Sequence, residues 1–301
     1  MTKLLVWYGH LSSRPRLRAR GLGLLGAPVL WLTAMVLAPF LIMAALAFAR
    51  RTAYGDVAWQ FTFENFRRLL GFGILQWSAD YVLILLRSLW VAVLTTVLSL
   101  LLAYPLSFYI ATRTGSLRYL LLTLTVIPSC TNLVIRTYGW MLVLGPQMIP
   151  ARLAQAMGLL RPDAALYPRP LAVCIGMVSS FLPFAVLPLY ANVERLDWSL
   201  VEAARDLYAS RWRVFRHAIL PQTLPGLSAA VVLTFIPAMG SFVVPDLLGG
   251  AKYMLVGNLV QQQFGPSRDL PFGSAVSLTV LVLSLAGLFL FRRSGKEIEL
   301  A

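Results

Sequence analysis

An all-α integral membrane protein with six transmembrane helices is the fold that this 301-residue sequence predicts, and three observations carry the prediction. Hydrophobic residues make up 58% of the chain, and the mean hydropathy is +0.74. Only 13% of residues are charged, against roughly 25% in soluble domains. The apolar residues are gathered into runs of the length, about 20 residues, that a helix needs to cross the hydrocarbon of a bilayer.

The first run follows a basic tail, residues 1–21, carrying Lys3, Arg14, Arg16, Arg18 and Arg20. It continues without a charge from Leu22 to Ala49. That is too long for a signal-peptide core, and it lacks a small-residue cleavage site, so it is expected to be retained as the span 22–49. Gly21, Gly23 and Gly26 spell GxGxxG. A dinucleotide site needs a strand before the glycines, whereas an arginine cluster stands there, so the match is set aside. Residues 50–81 are rich in aromatics, including Trp59, Phe61, Phe63, Phe66, Phe72, Trp77 and Tyr81, and suit a loop with a short interfacial helix over 62–70.

Further spans are expected over 82–112, with Tyr104-Pro105 deep inside as a kink, and over 119–144, 170–193, 223–245 and 270–291. Pro183 and Pro188 should bend the span 170–193. A short amphipathic helix is expected over 151–160, and a tail with Arg292, Arg293 and Lys296 over 292–301. The transmembrane unit thus covers 22–291. The span 119–144 holds Asn132, Arg136, Tyr138 and Trp140, polar groups that are costly in hydrocarbon and therefore candidates for a pathway. An acidic partner, bundle carbonyls or snorkelling towards water would each satisfy Arg136 without any function.

With both termini on the cytoplasmic side, cytoplasmic segments hold 15 of the 26 Lys and Arg and external ones ten, with Arg136 inside the membrane. The positive-inside bias selects this orientation. Cys130 and Cys174 both lie in apolar runs and are expected to be packing residues, with no CxxC site. His10 and His217 stand far apart, and HExxH, GxSxG and GxxxxGK[ST] are all absent. Neither metal or nucleophilic catalysis nor ATP binding in a P-loop is therefore expected of this chain.

The informative polar stretch is Asp197 to Pro221, within a loop over 194–222 between two spans. Ser199 and Glu202 have capping-box spacing, which predicts a short helix from about Leu200, with Leu200, Ala203, Ala204 and Leu207 as its apolar stripe. Ser210 is expected to cap a second helix, with Trp212, Phe215 and Ile219 as its stripe, until Pro221 interrupts the hydrogen-bond ladder. The rhythm is that of a helix-turn-helix. Both flanks run directly into apolar spans, however, so a DNA reader is excluded and a docking surface expected.

Glu202-Ala203-Ala204 followed by Leu220-Pro221 resembles the EAA loop of permease subunits in bacterial binding-protein-dependent ABC importers. Arg136-Thr137-Tyr138-Gly139-Trp140, Leu187 to Tyr190, Phe235 to Ala238, Phe242 to Gly250 and Pro271 to Ala275 are similar to the spermidine/putrescine permeases. Related permeases for opines or aminophosphonates leave another small organic solute as the alternative. The resemblance implies that Glu202, Ala203, Ala204, Asp206, Leu207, Tyr208, Leu220 and Pro221 couple to an ATPase. It implies as partners a second permease subunit, an ABC ATPase dimer that binds the ATP and Mg, and a periplasmic solute-binding protein, with a multi-pass location in the inner membrane bilayer. No cofactor on this chain and no nucleic acid are expected. Tyr208 stands where that family has glycine, and Ala218 where it has isoleucine. On the residues alone, Asn132, Arg136, Tyr138, Trp140, Phe242 and Asp246 are the candidate pathway, Asp246 for its charge and the aromatics for their cation-binding faces. A secondary transporter, the other transport class, would be expected to show inverted repeats, and none is evident.

Overall fold

The computed structural model describes residues 15–52, 55–72, 78–161, 163–250 and 253–299. Most of the basic tail, with Lys3, His10 and Arg14, lies outside these residues, as does Trp77. The order of elements is α1 (Pro15–Ala47), a two-stranded hairpin β1 (Arg50–Arg51) and β2 (Val57–Ala58), α2 (Glu64–Leu69), α3 (Asp80–Ala111), α4 (Ser116–Cys130), α5 (Leu133–Val143), α6 (Ile149–Ala156), α7 (Pro170–Val193), α8 (Trp198–Asp206), α9 (Arg211–Val214), a π-helical turn (Phe215–Ile219), α10 (Leu220–Gly240), α11 (Val243–Gly249), α12 (Val256–Phe264) and α13 (Leu270–Glu299).

Among the described residues, five helices are long and apolar enough to cross a membrane, and a sixth crossing is made if α4 and α5 count as one bent span. The expected span 119–144 is therefore not one helix: it breaks by 99° between Cys130 and Leu133. Pro128 weakens the end of α4, Thr131 is extended, and the Asn132 side chain accepts the Val134 N–H at 2.8 Å, capping a new helix instead of continuing the old one. The expected span 223–245 is also corrected. Its helix stops at Gly240, and after Ser241 and Phe242 the separate helix α11 begins. By contrast, Pro105, Pro183 and Pro188 all sit inside continuous helices.

The three central helices α3, α7 and α10 pack on one another. One core cluster joins Val91, Met177, Phe235, Met239 and Leu248, and a second joins Ala103, Ile110, Ala185, Leu189 and Ala230. Small residues let the backbones approach. A Cβ on Gly226 of α10 would stand 3.0 Å from the Pro188 carbonyl oxygen and collide with Asn192, both on α7. Polar side chains inside these helices mostly turn back on their own backbone: Thr96 donates to the Ala92 carbonyl at 2.7 Å and Thr234 to that of Ala230 at 2.8 Å.

Opposite the docking loop, the ends of the helices are closed by polar ties. Asn65 of α2 donates to the carbonyls of Ala47 and Ala49 at 2.9 and 2.8 Å, satisfying the end of α1. Buried Asp269 caps α13 by accepting the Phe272 N–H at 3.2 Å, and its other oxygen takes Arg68 at 2.7 Å and Arg51 at 3.5 Å.

Candidate docking site and pathway residues

Asp197 starts α8, not Ser199. Its carboxylate accepts the Ser199 backbone N–H at 3.0 Å and the Ser199 hydroxyl at 2.7 Å, and these bonds hold the Asp197 carboxyl below the usual carboxylate range. The expected Ser199–Glu202 box is thereby corrected. An acceptor-only carboxylate at the positive end of a helix is a better cap than a hydroxyl, and it draws the start back to Trp198.

With that start, the inward face of α8 is Val201 and Ala204, packed with Leu196, Val214, Ala218 and Phe108. The predicted stripe of Leu200, Ala203, Ala204 and Leu207 splits. Only Ala204 joins the cluster, while Leu200, Ala203 and Leu207 face outward beside exposed Glu202 and Asp206. Leu207 is 82% exposed. Exposed apolar side chains thus alternate with acidic ones along this face of α8.

Tyr208 closes the helix in the left-handed region, φ 55°, and is 97% exposed. The Tyr208 N–H reaches the Arg205 carbonyl at 2.9 Å and the Ala209 N–H that of Ala204 at 3.2 Å, the paired bonds of a Schellman motif. This motif usually places glycine where Tyr208 stands, which accounts for the departure seen in the sequence. Ser210 then caps α9 as expected, accepting the Arg213 N–H at 3.4 Å.

Pro221 does not end the second helix, a further correction. The five residues before Leu220 form a π turn in which the Leu220 N–H bonds to Phe215, five residues back, and residues 211–240 run on as one rod. The wider turn absorbs the missing proline N–H. Val214 and Ala218 are the buried positions of this segment. Trp212 of the predicted stripe is exposed and stacks on Phe215 with ring centres 5.6 Å apart. Tyr104 of α3 meets Phe215 edge-on at 5.9 Å, and its hydroxyl lies 2.8 Å from that of Thr223. Leu220 is half-buried and Pro221 exposed.

Sequence reasoning missed a second tie at this end. Arg118, at the start of α4, donates to the Tyr190 hydroxyl at 2.5 Å and pairs with Glu194, whose carboxyl is held below its usual range by Arg118 and then Tyr190. The packing of α4 on α7 makes Arg118 and Glu194 partners.

The candidate pathway residues lie at the opposite end of α10, about 30 Å from Pro221 at ~1.5 Å per residue. Asn132 is occupied in capping α5. Arg136 reaches back across the bend, donating to the Pro128 carbonyl at 2.5 Å, while its Nε has no partner. Tyr138 and Phe242 are exposed, and Trp140 is half-buried against the main core cluster. Asp246 is exposed on α11, which packs against α5. The structure brings the helices of Arg136 and Asp246 together, yet Asp246 forms no ion pair among the described residues. No group of three potential metal ligands occurs among the described residues.

Residues 103–299 match the family described as binding-protein-dependent transport system inner membrane component. The chain is 40% identical to the spermidine/putrescine transport system permease protein PotB of Haemophilus influenzae, covering 88% of this chain and 91% of that protein. It is 39% identical to PotB of Escherichia coli strain K12, with 90% and 97% covered. It is 30% identical to the inner membrane ABC transporter permease protein YdcU of that strain, with 78% and 77% covered. The fold is shared with a bacterial ABC transporter involved in the import of the acidic polysaccharide alginate (TM-score 0.67, 16% identity, 93% of this chain and 97% of that one). A bacterial alginate ABC transporter in complex with an alginate pentasaccharide-bound periplasmic protein gives a TM-score of 0.69 at 15% identity, with 92% and 93% covered. The chain is thus a multi-pass transport component that belongs to the family of binding-protein-dependent transport system inner membrane components.

Proposed function

We propose that this chain is one permease subunit of an ATP-driven importer that carries polyamines of the spermidine/putrescine class. The observation that carries the reading is the 39–40% identity, over nearly the whole length of both chains, to spermidine/putrescine permeases. In this reading the chain works with a second permease subunit, an ATPase dimer that binds ATP and Mg, and a periplasmic solute-binding protein. Both termini and the docking loop lie on the ATPase side of the inner membrane. The chain makes and breaks no covalent bonds.

Its residues divide the work between two ends. The outward face of α8, with Leu200, Ala203 and Leu207 flanked by Glu202 and Asp206, seats in the ATPase, and Tyr208, Leu220 and Pro221 set the angle at which it is presented. Movement of that face passes along the rod 211–240 and switches the bundle between two arrangements. At the far end, the exposed carboxylate of Asp246 attracts a substrate ammonium, and Tyr138 and Phe242 offer aromatic faces. Arg136, tethered to the Pro128 carbonyl, and Asn132 hold the bend that shapes the opening, with Trp140 packed behind it.

The deciding experiment is a ligand screen on the solute-binding protein encoded beside this chain, followed by uptake of radiolabelled spermidine and putrescine. Binding and uptake that depend on this chain support the reading; selective binding of an opine or aminophosphonate replaces the solute class. Uptake that survives loss of the ATPase and follows an ion gradient overturns the importer mechanism. Glu202→Arg should lower solute imported per ATP hydrolysed by roughly tenfold, and a wild-type value would remove the docking role of α8.

A further inference from the structure

Gln222 joins two parts of the loop that the chain separates by 25 residues. Its Oε1 accepts the backbone N–H of Asp197, the cap of α8, at 3.0 Å. Its Nε2 donates to the carbonyl of Ala218, inside the π turn, at 2.7 Å, and lies 3.5 Å from the Asp197 carbonyl. The two ends of the amide cannot be exchanged: the Asp197 N–H needs the oxygen and the Ala218 carbonyl needs the NH2 group. The oxygen therefore serves the Asp197 N–H and the NH2 group the carbonyls of Ala218 and Asp197, and the side chain is held across the gap between α8 and the foot of α10.

The C-terminal end of α8 reaches the same rod by a covalent path, through the left-handed turn at Tyr208 and the Ser210 cap. The start of α8 has no such short path. The chain leaves it backwards into α7, so its polar connections to the rod are the bonds of Gln222. Leu196, just before the start, and Val201 and Ala204 share an apolar cluster with Val214 and Ala218. Such contact resists compression but slides under shear, because dispersion is not directional. A hydrogen-bonded strut at the open end converts a helix hinged at Tyr208 into one fixed at both ends.

We propose that Gln222 is a positioning residue of the coupling mechanism, a clasp that makes the start of α8 and the π turn at the foot of α10 move as one body. The proposal rests on the reading of α8 as the ATPase-docking helix. With the clasp closed, displacement of Asp197 is delivered to Ala218 and the rod 211–240. With it open, α8 swings about Tyr208 and part of its movement is lost before it reaches the bundle.

The test uses the assembled complex, with both permease subunits, the ATPase and the solute-binding protein in proteoliposomes. Radiolabelled spermidine imported per ATP hydrolysed is the readout. Gln222→Leu keeps the approximate volume and removes both hydrogen-bonding ends; the ratio is expected to fall roughly fivefold while hydrolysis persists. Gln222→Glu keeps the acceptor for Asp197 and loses the donor to Ala218, and a smaller fall is expected. A wild-type ratio in Gln222→Leu, with uptake and hydrolysis reduced together or unchanged, makes the residue merely structural and overturns the proposal. Should Gln222→Leu not assemble, Gln222→Glu decides: a lowered ratio supports the clasp and a wild-type ratio overturns it. Glu202→Arg separates the two levels. If it lowers the ratio and the Gln222 variants do not, the clasp alone fails; if it too leaves the ratio unchanged, the docking role of α8 fails.

Discussion

The backbone N–H of Ala209 donates to the carbonyl of Ala204 across 3.2 Å, and this closure holds the intervening turn with Tyr208 at φ 55°. Both alanines belong to the apolar cluster beneath α8, so the turn is fixed from below while the tyrosine ring stands clear. A non-glycine residue in this region carries steric strain of roughly 1–2 kcal/mol. Tyr208→Gly is therefore expected to stabilise the isolated permease by about 1 kcal/mol, after allowing for the added freedom of glycine in the unfolded chain. Tyr208→Val, branched at Cβ, should destabilise it. Thermal unfolding in detergent checks both, and an unchanged midpoint for Tyr208→Gly would show that the turn carries no strain.

At Gly226 the helices α7 and α10 lie close together, so that an added Cβ meets Asn192 and the Pro188 carbonyl. Neither helix can retreat without opening the second core cluster. Gly226→Val is expected to cost roughly 2–3 kcal/mol by overpacking, seen as a lower unfolding temperature and lower yield of folded protein. Gly139 has no neighbour within 4 Å of its Cβ position, so Gly139→Ala serves as the control and should leave both unchanged.

Asp269 carries two duties through two oxygens, the cap of α13 and the pairing of Arg68 and Arg51. Asp269→Ala removes both and leaves Arg68 short of its partner; a loss of about 3 kcal/mol is expected. Asp269→Asn keeps the capping oxygen and should lose less. Arg51→Met should cost under ~1 kcal/mol, since that pair is longer and the guanidinium more exposed. The order Ala, then Asn, then Arg51→Met in unfolding temperature is the measurement, and an inverted order would separate cap from pair.

Glu194 and Asp197 both have carboxyls held below their usual range, by Arg118 and by Ser199 respectively. Groups with depressed folded values add stability above their unfolded pKa and lose it as pH falls through the folded one. The docking end is therefore expected to loosen at acid pH before the membrane core does. Hydrogen exchange over 194–209 at falling pH reads this directly. Arg118→Met should weaken the acid dependence at Glu194 and leave that at Asp197 unaltered.

Much of the membrane architecture was legible because hydrocarbon imposes a length and a polarity on every crossing. Those constraints act on composition, which a linear reading sees. They also explain the two spans that departed from expectation. Between Cys130 and Leu133 the outcome turned on whether the Asn132 side chain bonds its own backbone, and at Gly240 on the pairing of the Phe242 carbonyl with Asn258, 16 residues further on. At the first break Ser129, Thr131 and Asn132 interrupt the apolar run, but at the second it continues through Phe242-Val243-Val244, and a hydropathy window averages over both points.

The docking loop divides in the same way. The existence of two short helices and the Ser210 cap were legible in the sequence, since caps depend on neighbours a few residues apart, while the Asp197 cap of α8 and the continuation of the second helix through Pro221 were not. Which face of α8 turns inward was decided by the fold: Val201 finds Val214 and Ala218 beneath it, and Leu200 and Leu207 are left exposed. The pairings of Gln222 with Asp197 and of Arg118 with Glu194 were likewise decided only in three dimensions. Each joins residues 25 or more positions apart, and a hydrogen bond responds to distance and direction in space, to which the order of residues along the chain is blind.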